Sequence, residues 1–161
     1  MTIKVGDKLP DSTFMTMGPD GAPKPTPTSE VFAGKKVALF AVPGAYTPTC
    51  HRQHMAGFVQ NYDELKNKVD MVACTAVNDV FVLTAWAKES KADGKIKMLA
   101  DGSAEFAKKL GLDIDLTTRG LGVRSKRYSM IVEDGVVKAL NVEDAPPNHD
   151  RSSAATLCKM L

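Results

Sequence analysis

The feature that most narrows what this chain can fold into is a pair of apolar runs with a helical pattern between them. Val37-Ala38-Leu39-Phe40-Ala41-Val42 contains no polar residue. A strand with one wet face alternates apolar and polar residues, so an unbroken run predicts a strand covered on both faces. Pro43-Gly44 ends it. After Pro48, the positions of Met55, Phe58, Val59, Tyr62 and Leu65 predict one helix reaching to about residue 68. A second buried strand follows over 69–77, through Met71, Val72, Ala73, Cys74, Thr75 and Ala76. Strand, helix and strand together predict a βαβ unit with parallel strands.

The rest of the chain extends this pattern. Asn78-Asp79 can cap a helix carrying Val82, Leu83 and Trp86, with Gly94 beyond its end. Residues 96–100 predict a short strand. Ser103 opens another helix, stopped at Gly111. Residues 128–132 and 136–142 flank Asp134-Gly135 as a hairpin, and 152–161 can form a last helix. Residues 18–27 hold Pro19, Pro23, Pro25 and Pro27 and read as an irregular surface connection. There is no internal repeat. The order predicts the α/β class, with a small mixed central sheet flanked by helices on both faces. The thioredoxin fold is one such arrangement, though the pattern alone does not select it. A length of 161 residues fits one domain over 1–161.

Charge excludes several partners. The chain has 21 Lys and Arg against 19 Asp and Glu, scattered rather than striped, which is unlike a nucleic-acid or polybasic membrane-binding surface. No apolar run approaches the roughly 18 residues of a membrane span. Met1-Thr2-Ile3-Lys4-Val5 lacks the apolar core of a secretion signal, so a cytoplasmic location is expected. The three cysteines, Cys50, Cys74 and Cys158, are too few and odd in number for a disulfide scaffold. Each is either packing or a reactive thiol.

Cys50 stands apart by its setting, Pro43-Gly44-Ala45-Tyr46-Thr47-Pro48-Thr49-Cys50. A buried strand leads into a turn, and the turn delivers the sulfur to the first turn of a helix. Free N–H groups and the positive end of the helix dipole favour thiolate there. Thr47 can donate to a substrate oxygen or cap the helix. Cysteine is most often a small buried packing residue, but the polar stretch His51-Arg52-Gln53-His54 favours an exposed, reactive Cys50. His51 and His54 read as a solvated helix face.

The pattern Pro43-x-x-x-Thr47-x-x-Cys50 resembles the active-site signature of the peroxiredoxins. The longer string from Val42 to Cys50 is similar to the type II, peroxiredoxin-5-like subfamily. Further stretches resemble it in order: Gly57-Phe58, Val77-Asn78-Asp79 with Phe81, Leu99-Ala100-Asp101, Lys126-Arg127-Tyr128-Ser129-Met130, and the stretch from Asp134 to Glu143. The resemblance implies a thioredoxin-like fold with an N-terminal extension. It implies a thiol peroxidase reducing hydrogen peroxide and alkyl hydroperoxides through a Cys50 sulfenic acid. Thr47 would hydrogen-bond the peroxide, Pro43 would shield the pocket and Arg127 would pair with thiolate and substrate. Residue physics alone leaves Arg119, Arg124, Lys126 and Arg127 as rivals; the family motif selects Arg127. A homodimer is expected, with neither metal nor other cofactor.

The sulfenic acid needs a thiol to reduce it. Cys74 lies in a buried strand, and some plant members of the subfamily are thought to use a cysteine near this place. Cys158 lies in the last helix; animal peroxiredoxin-5 proteins carry a resolving cysteine in the preceding loop, where this chain has Ser152-Ser153-Ala154-Ala155. That departure favours a one-cysteine cycle with glutathione, glutaredoxin or thioredoxin as external reductant. His51 stands where serine is often found and can tune the thiolate or contact the reductant. The rival readings are a metal-binding or peroxide-sensing protein using Cys50 and His54, and a cysteine hydrolase using distant His149 as base. A dithiol oxidoreductase lacks its Cys-x-x-Cys pair.

Overall fold

The computed structural model describes residues 1–145 and 148–161; Pro146 and Pro147, in the segment expected to be irregular around His149, lie outside the described residues. Among the described residues β1 (Thr13–Met17), β2 (Pro23–Pro27), β3 (Lys36–Val42), β4 (Met71–Ala76), β5 (Ile96–Ala100), β8 (Tyr128–Glu133) and β9 (Val136–Val142) form a seven-stranded sheet in the order β2-β1-β5-β4-β3-β8-β9. Its centre is β3, β4 and β5, all parallel. The hairpin of β8 and β9 adds antiparallel strands beside β3. Asp134 and Gly135 both take positive φ, 48° and 77°, as a tight primed turn requires.

The apolar runs are doubly covered, as their composition dictates. Ala38, Phe40 and Val42 point to one face with Val72, Cys74 and Ala76, beneath α2 (Ala56–Gln60), α3 (Tyr62–Lys66), α4 (Val80–Glu89) and α6 (Ala154–Lys159). Val37, Leu39 and Ala41 point to the other face, beneath α1 (Thr28–Phe32) and α5 (Glu105–Leu110). This is the period-two alternation of a strand read from both sides. Asp79 caps α4 by accepting from Val82 N at 2.8 Å, and Ser153 caps α6 by accepting from Thr156 N.

Three expectations need correction, and one element has no counterpart among them. The proline-rich stretch is not wholly irregular: Pro23–Pro27 forms edge strand β2, antiparallel to β1 (Thr13–Met17), with Thr16 and Thr26 hydroxyls 2.7 Å apart. Prolines two apart on an outermost strand remove donors only where no neighbour needs them. The helix expected to run to residue 68 is broken. It opens as a π-helical turn, Cys50–Met55, continues as α2, and restarts as α3 after Asn61. The Asn61 amide donates to Gly57 O at 2.8 Å, competing with the helix ladder. The helix expected to open at Ser103 starts at Glu105, after Ala104, and the Asp101 carboxylate accepts from its Phe106 N and Ala107 N. A ribbon of β6 (Asp113–Leu116) and β7 (Gly122–Ser125) was not foreseen. It leads the chain from α5 back to the sheet, just before Arg127.

Candidate active site

The chain leaves β3 at Val42 and doubles back before Cys50. Tyr46 adopts φ 65°, a left-handed conformation that costs energy in a bulky residue. Ala45 N donates to the Asn78 side chain at 3.0 Å, tying the turn to the start of α4. The Thr47 hydroxyl donates to Gly44 O at 2.7 Å, so its proton is neither a free donor nor its oxygen a helix cap. The Thr47 carbonyl accepts from His51 N at 2.9 Å. Pro43 is buried, and its carbonyl accepts from Arg124 Nη1 at 3.3 Å. A Cβ on Gly44 would stand 2.8 Å from that same nitrogen, so a side chain there would push the Arg124 guanidinium off Pro43 O.

Cys50 opens the π turn, but it is not exposed. Its relative exposure is 0%, and it sits in the apolar cluster with Phe40, Val42, Met55, Phe58 and Cys74. The polar tetrapeptide after it does not mark an exposed face, because His51 and His54 turn inward as well. What separates this sulfur from packing is Arg127, 3% exposed, whose Nη2 donates to Sγ at 3.0 Å. A hydrogen bond from a fixed cation stabilises charge on the sulfur. Among the rivals, Arg124 donates to Pro43 O and Leu121 O.

His54 is a second correction. It is 1% exposed, not part of a solvated face, with its ring edge-on to Phe40 and Phe58. Its Nε2 lies 2.9 Å from Ser152 O, and its Nδ1 lies 3.0 Å from Arg127 Nη1. A carbonyl only accepts and a guanidinium only donates, so the imidazole is neutral with its proton on Nε2. Burial pulls its pKa down to about 3; the Ser152 hydrogen bond opposes this, and the charges of Arg127 and His149 add to it. Ser152 is fixed in turn by Glu143, which accepts from Ser152 N at 2.5 Å and Ser152 Oγ at 2.6 Å. His51 is also engaged: its Nδ1 accepts from Trp86 Nε1 at 2.9 Å, and its ring lies 6.0 Å from the Tyr46 ring. These inward contacts bridge 35 to 98 positions of sequence and left no local signal.

Cys74 sits beside Phe40 in the sheet register, 0% exposed. Burial pushes its thiol pKa well up; the Cys50 charge adds to this, and Arg127 opposes it. Cys158, on α6, is also buried; burial and Glu64 push its thiol up, against Lys68. His149 Nε2 faces Asp150 at 3.8 Å. Among the described residues no group of three or more His, Cys, Asp or Glu side chains is placed to hold a metal ion. No helix among them is long and apolar enough to cross a membrane.

Comparison with known proteins places this geometry in context. The Redoxin family model matches residues 4–158. Peroxiredoxin-2E, chloroplastic, of Arabidopsis thaliana is 48% identical over 99% of this chain and 70% of its own length. The structure of reduced Prx3 from Vibrio vulnificus in complex with H2O2 superposes with a TM-score of 0.93 at 46% identity, covering 99% of both chains. Peroxiredoxin 5 from Alvinella pompejana superposes with a TM-score of 0.84 at 33% identity, over 98% of this chain and 96% of that one.

Proposed function

This chain belongs to the redoxin family and is a peroxiredoxin, a thiol-dependent peroxidase; we propose that Cys50 is the sulfur that attacks the hydroperoxide. The observation that carries this is the Arg127 Nη2 donor 3.0 Å from Cys50 Sγ in an apolar cluster. Low polarity strengthens the interaction between that donor and any charge developing beside it.

In this reading the Cys50 thiolate attacks one oxygen of the peroxide. The S–O bond forms as the O–O bond breaks, and sulfur is oxidised by two electrons. The departing oxygen takes a proton and leaves as water or alcohol, and Cys50 becomes a sulfenic acid. Arg127 offers donors to sulfur and oxygens in turn. The Thr47 proton is committed to Gly44 O, so Thr47 Oγ1 is left to accept the peroxide O–H. Pro43 shields the sulfur. Because Cys50 has no exposed surface, entry requires the turn over 43–50 to open, and the strained Tyr46 is the natural place for it to give.

Two external thiols complete the cycle. One condenses with the sulfenic acid and releases water; the second reduces the mixed disulfide to Cys50 thiol and an external disulfide. We assign this to glutathione with glutaredoxin, or to thioredoxin. Buried Cys74 and Cys158, with their thiols pushed toward the protonated form, support an external reductant over an internal one. The reading includes one redoxin-type domain, a homodimer and a cytoplasmic location.

The test is single oxidation of the reduced protein by one equivalent of hydrogen peroxide, followed by intact mass. Gain of one oxygen, or of one glutathione when that thiol is present, supports the one-cysteine cycle. Loss of two hydrogens would replace it with an internal disulfide. Retained turnover in Cys50→Ser would remove Cys50 from the chemistry. Stoichiometric zinc on purified protein, held by Cys50, would favour the metal-binding alternative with His54.

A further inference from the structure

We propose that His54 is a positioning residue for the peroxidase reaction, holding the Arg127 guanidinium so that Nη2–H stays aimed at the Cys50 sulfur. The proposal rests on the reading of Cys50 and Arg127 given above.

A guanidinium is a planar fork of donors with no acceptor, and its direction is set by whatever accepts from it. The two terminal nitrogens of Arg127 divide their work: Nη2 faces Cys50 Sγ at 3.0 Å and Nη1 faces His54 Nδ1 at 3.0 Å. Fixing one prong of a rigid fork fixes the other. The kind of acceptor matters as much as its place. A carboxylate there would hold the fork more strongly but would compete with the thiolate for the same positive charge. A neutral imidazole supplies a lone pair and no charge, so it orients Arg127 without neutralising it. Burial keeps the ring in that uncharged form down to about pH 3.

The ring itself cannot swing. Phe40 and Phe58 pack edge-on against it, with centroids at 5.1 and 5.5 Å, and Nε2–H donates to Ser152 O at 2.9 Å. Ser152 is held by the Glu143 carboxylate through its N–H and its hydroxyl. Glu143 N, in turn, donates to the backbone carbonyl of Arg127 at 3.0 Å. The bonds close a circuit: Arg127 backbone, Glu143, Ser152, His54 and back to the Arg127 side chain. Every member is buried. Both ends of Arg127 are therefore referenced to one frame, built from the open end of the β8–β9 hairpin, the segment before α6 and the π turn that carries Cys50.

The experiment measures the second-order rate of reduced protein with hydrogen peroxide in a single turnover, so that no external reductant enters. The proteins are wild type, His54→Phe, His54→Gln, Arg127→Gln and the Arg127→Gln/His54→Phe double variant. Phenylalanine keeps the aromatic packing and removes the acceptor; glutamine offers an acceptor and a donor over similar reach. We expect His54→Phe to be slowed about tenfold or more, His54→Gln to recover to within about threefold of wild type, and the double variant to match Arg127→Gln within about twofold. Should His54→Phe fail to give a native circular-dichroism spectrum, His54→Met replaces it in the same series. Wild-type speed in the acceptor-free variant, no recovery with glutamine, or independent, multiplying losses in the double variant each overturn the positioning role. An Arg127→Gln protein as fast as wild type overturns the reading of Arg127 and this proposal together, whereas a slow Arg127→Gln beside a fast His54→Phe overturns the His54 role alone.

Discussion

Cys50 and Cys74 share one apolar cluster, have no exposed surface between them and belong to the same face of the sheet. They differ in what stands beside the sulfur. Cys50 receives a guanidinium N–H at 3.0 Å. Among the described residues the hydrogen-bond partner of Cys74 is its neighbour's carbonyl, Thr75 O, at 3.9 Å, a weak sulfur contact. Its place in β4 is strand geometry: a small side chain registered opposite Phe40, where packing density decides the residue. The place of Cys50 is an end of a strand, where a strained turn and a π turn replace the ladder. Burial alone thus does not separate a structural from a reactive cysteine; the neighbouring charge does.

The contrast is broken most sharply by deletion. Cys50→Ser should lower hydrogen peroxide turnover by more than about 1,000-fold, whereas Cys74→Ser and Cys158→Ser should stay within about threefold of wild type. Steady-state turnover of the three purified variants checks this, and comparable losses at Cys50 and Cys74 would erase the distinction. Next in size is the cation. Arg127→Gln should slow peroxide reduction about 100-fold, as for loss of one preorganised donor. Arg124→Gln, which loses the tethers to Pro43 O and Leu121 O but no contact with the sulfur, should cost about fivefold or less by the same measure. Equal losses would shift the chemistry away from the guanidinium at the sulfur.

Two pH predictions sharpen the comparison further. On the Cys50 side, His54 is held neutral, with its pKa lowered from 6.5 to about 3. Between those values the unfolded chain binds a proton that the folded chain refuses. The associated stability is complete above about pH 6.5 and is lost as pH falls toward 3, by at most roughly 5 kcal/mol. Urea midpoints at pH 7 and pH 4 should therefore fall further in wild type than in His54→Gln, and parallel falls would contradict the buried neutral ring. On the Cys74 side the sign reverses. Its thiol pKa is raised well above 9.0, so the folded chain keeps a proton that the unfolded chain releases. Stability is full below that ordinary value and declines as pH rises through it. Cys74→Ala should show a smaller loss of midpoint between pH 8 and pH 10 than wild type; an identical loss would mean that the thiol ionises freely in the fold.

Much of the fold was legible where one physical demand dominated. Runs free of polar residues forced β3 and β4 inside, and Asp134-Gly135 supplied the positive φ that the hairpin needed. Asp79 stood where a cap was expected. Legibility ended where contacts were distant in sequence. The polar residues His51 and His54 looked like a wet face because their partners, Trp86, Arg127 and Ser152, are 35, 73 and 98 positions away. The Cys50 turn was read correctly as the end of a buried strand, but exposure was inferred from composition and the sulfur is sealed. The ribbon of β6 and β7 is too short to announce itself: Asp113-Ile114-Asp115-Leu116 alternates over four residues only, and Gly122-Val123-Arg124-Ser125 carries a single large apolar side chain.

The prolines of β2 carry a consequence for assembly. With Pro23, Pro25 and Pro27 spaced along the outermost strand, that rim of the sheet lacks the regular donor ladder that a further strand would need. The protein is thereby protected on this side from templated growth into ribbons or fibrils, and strand-by-strand addition at this rim is disfavoured.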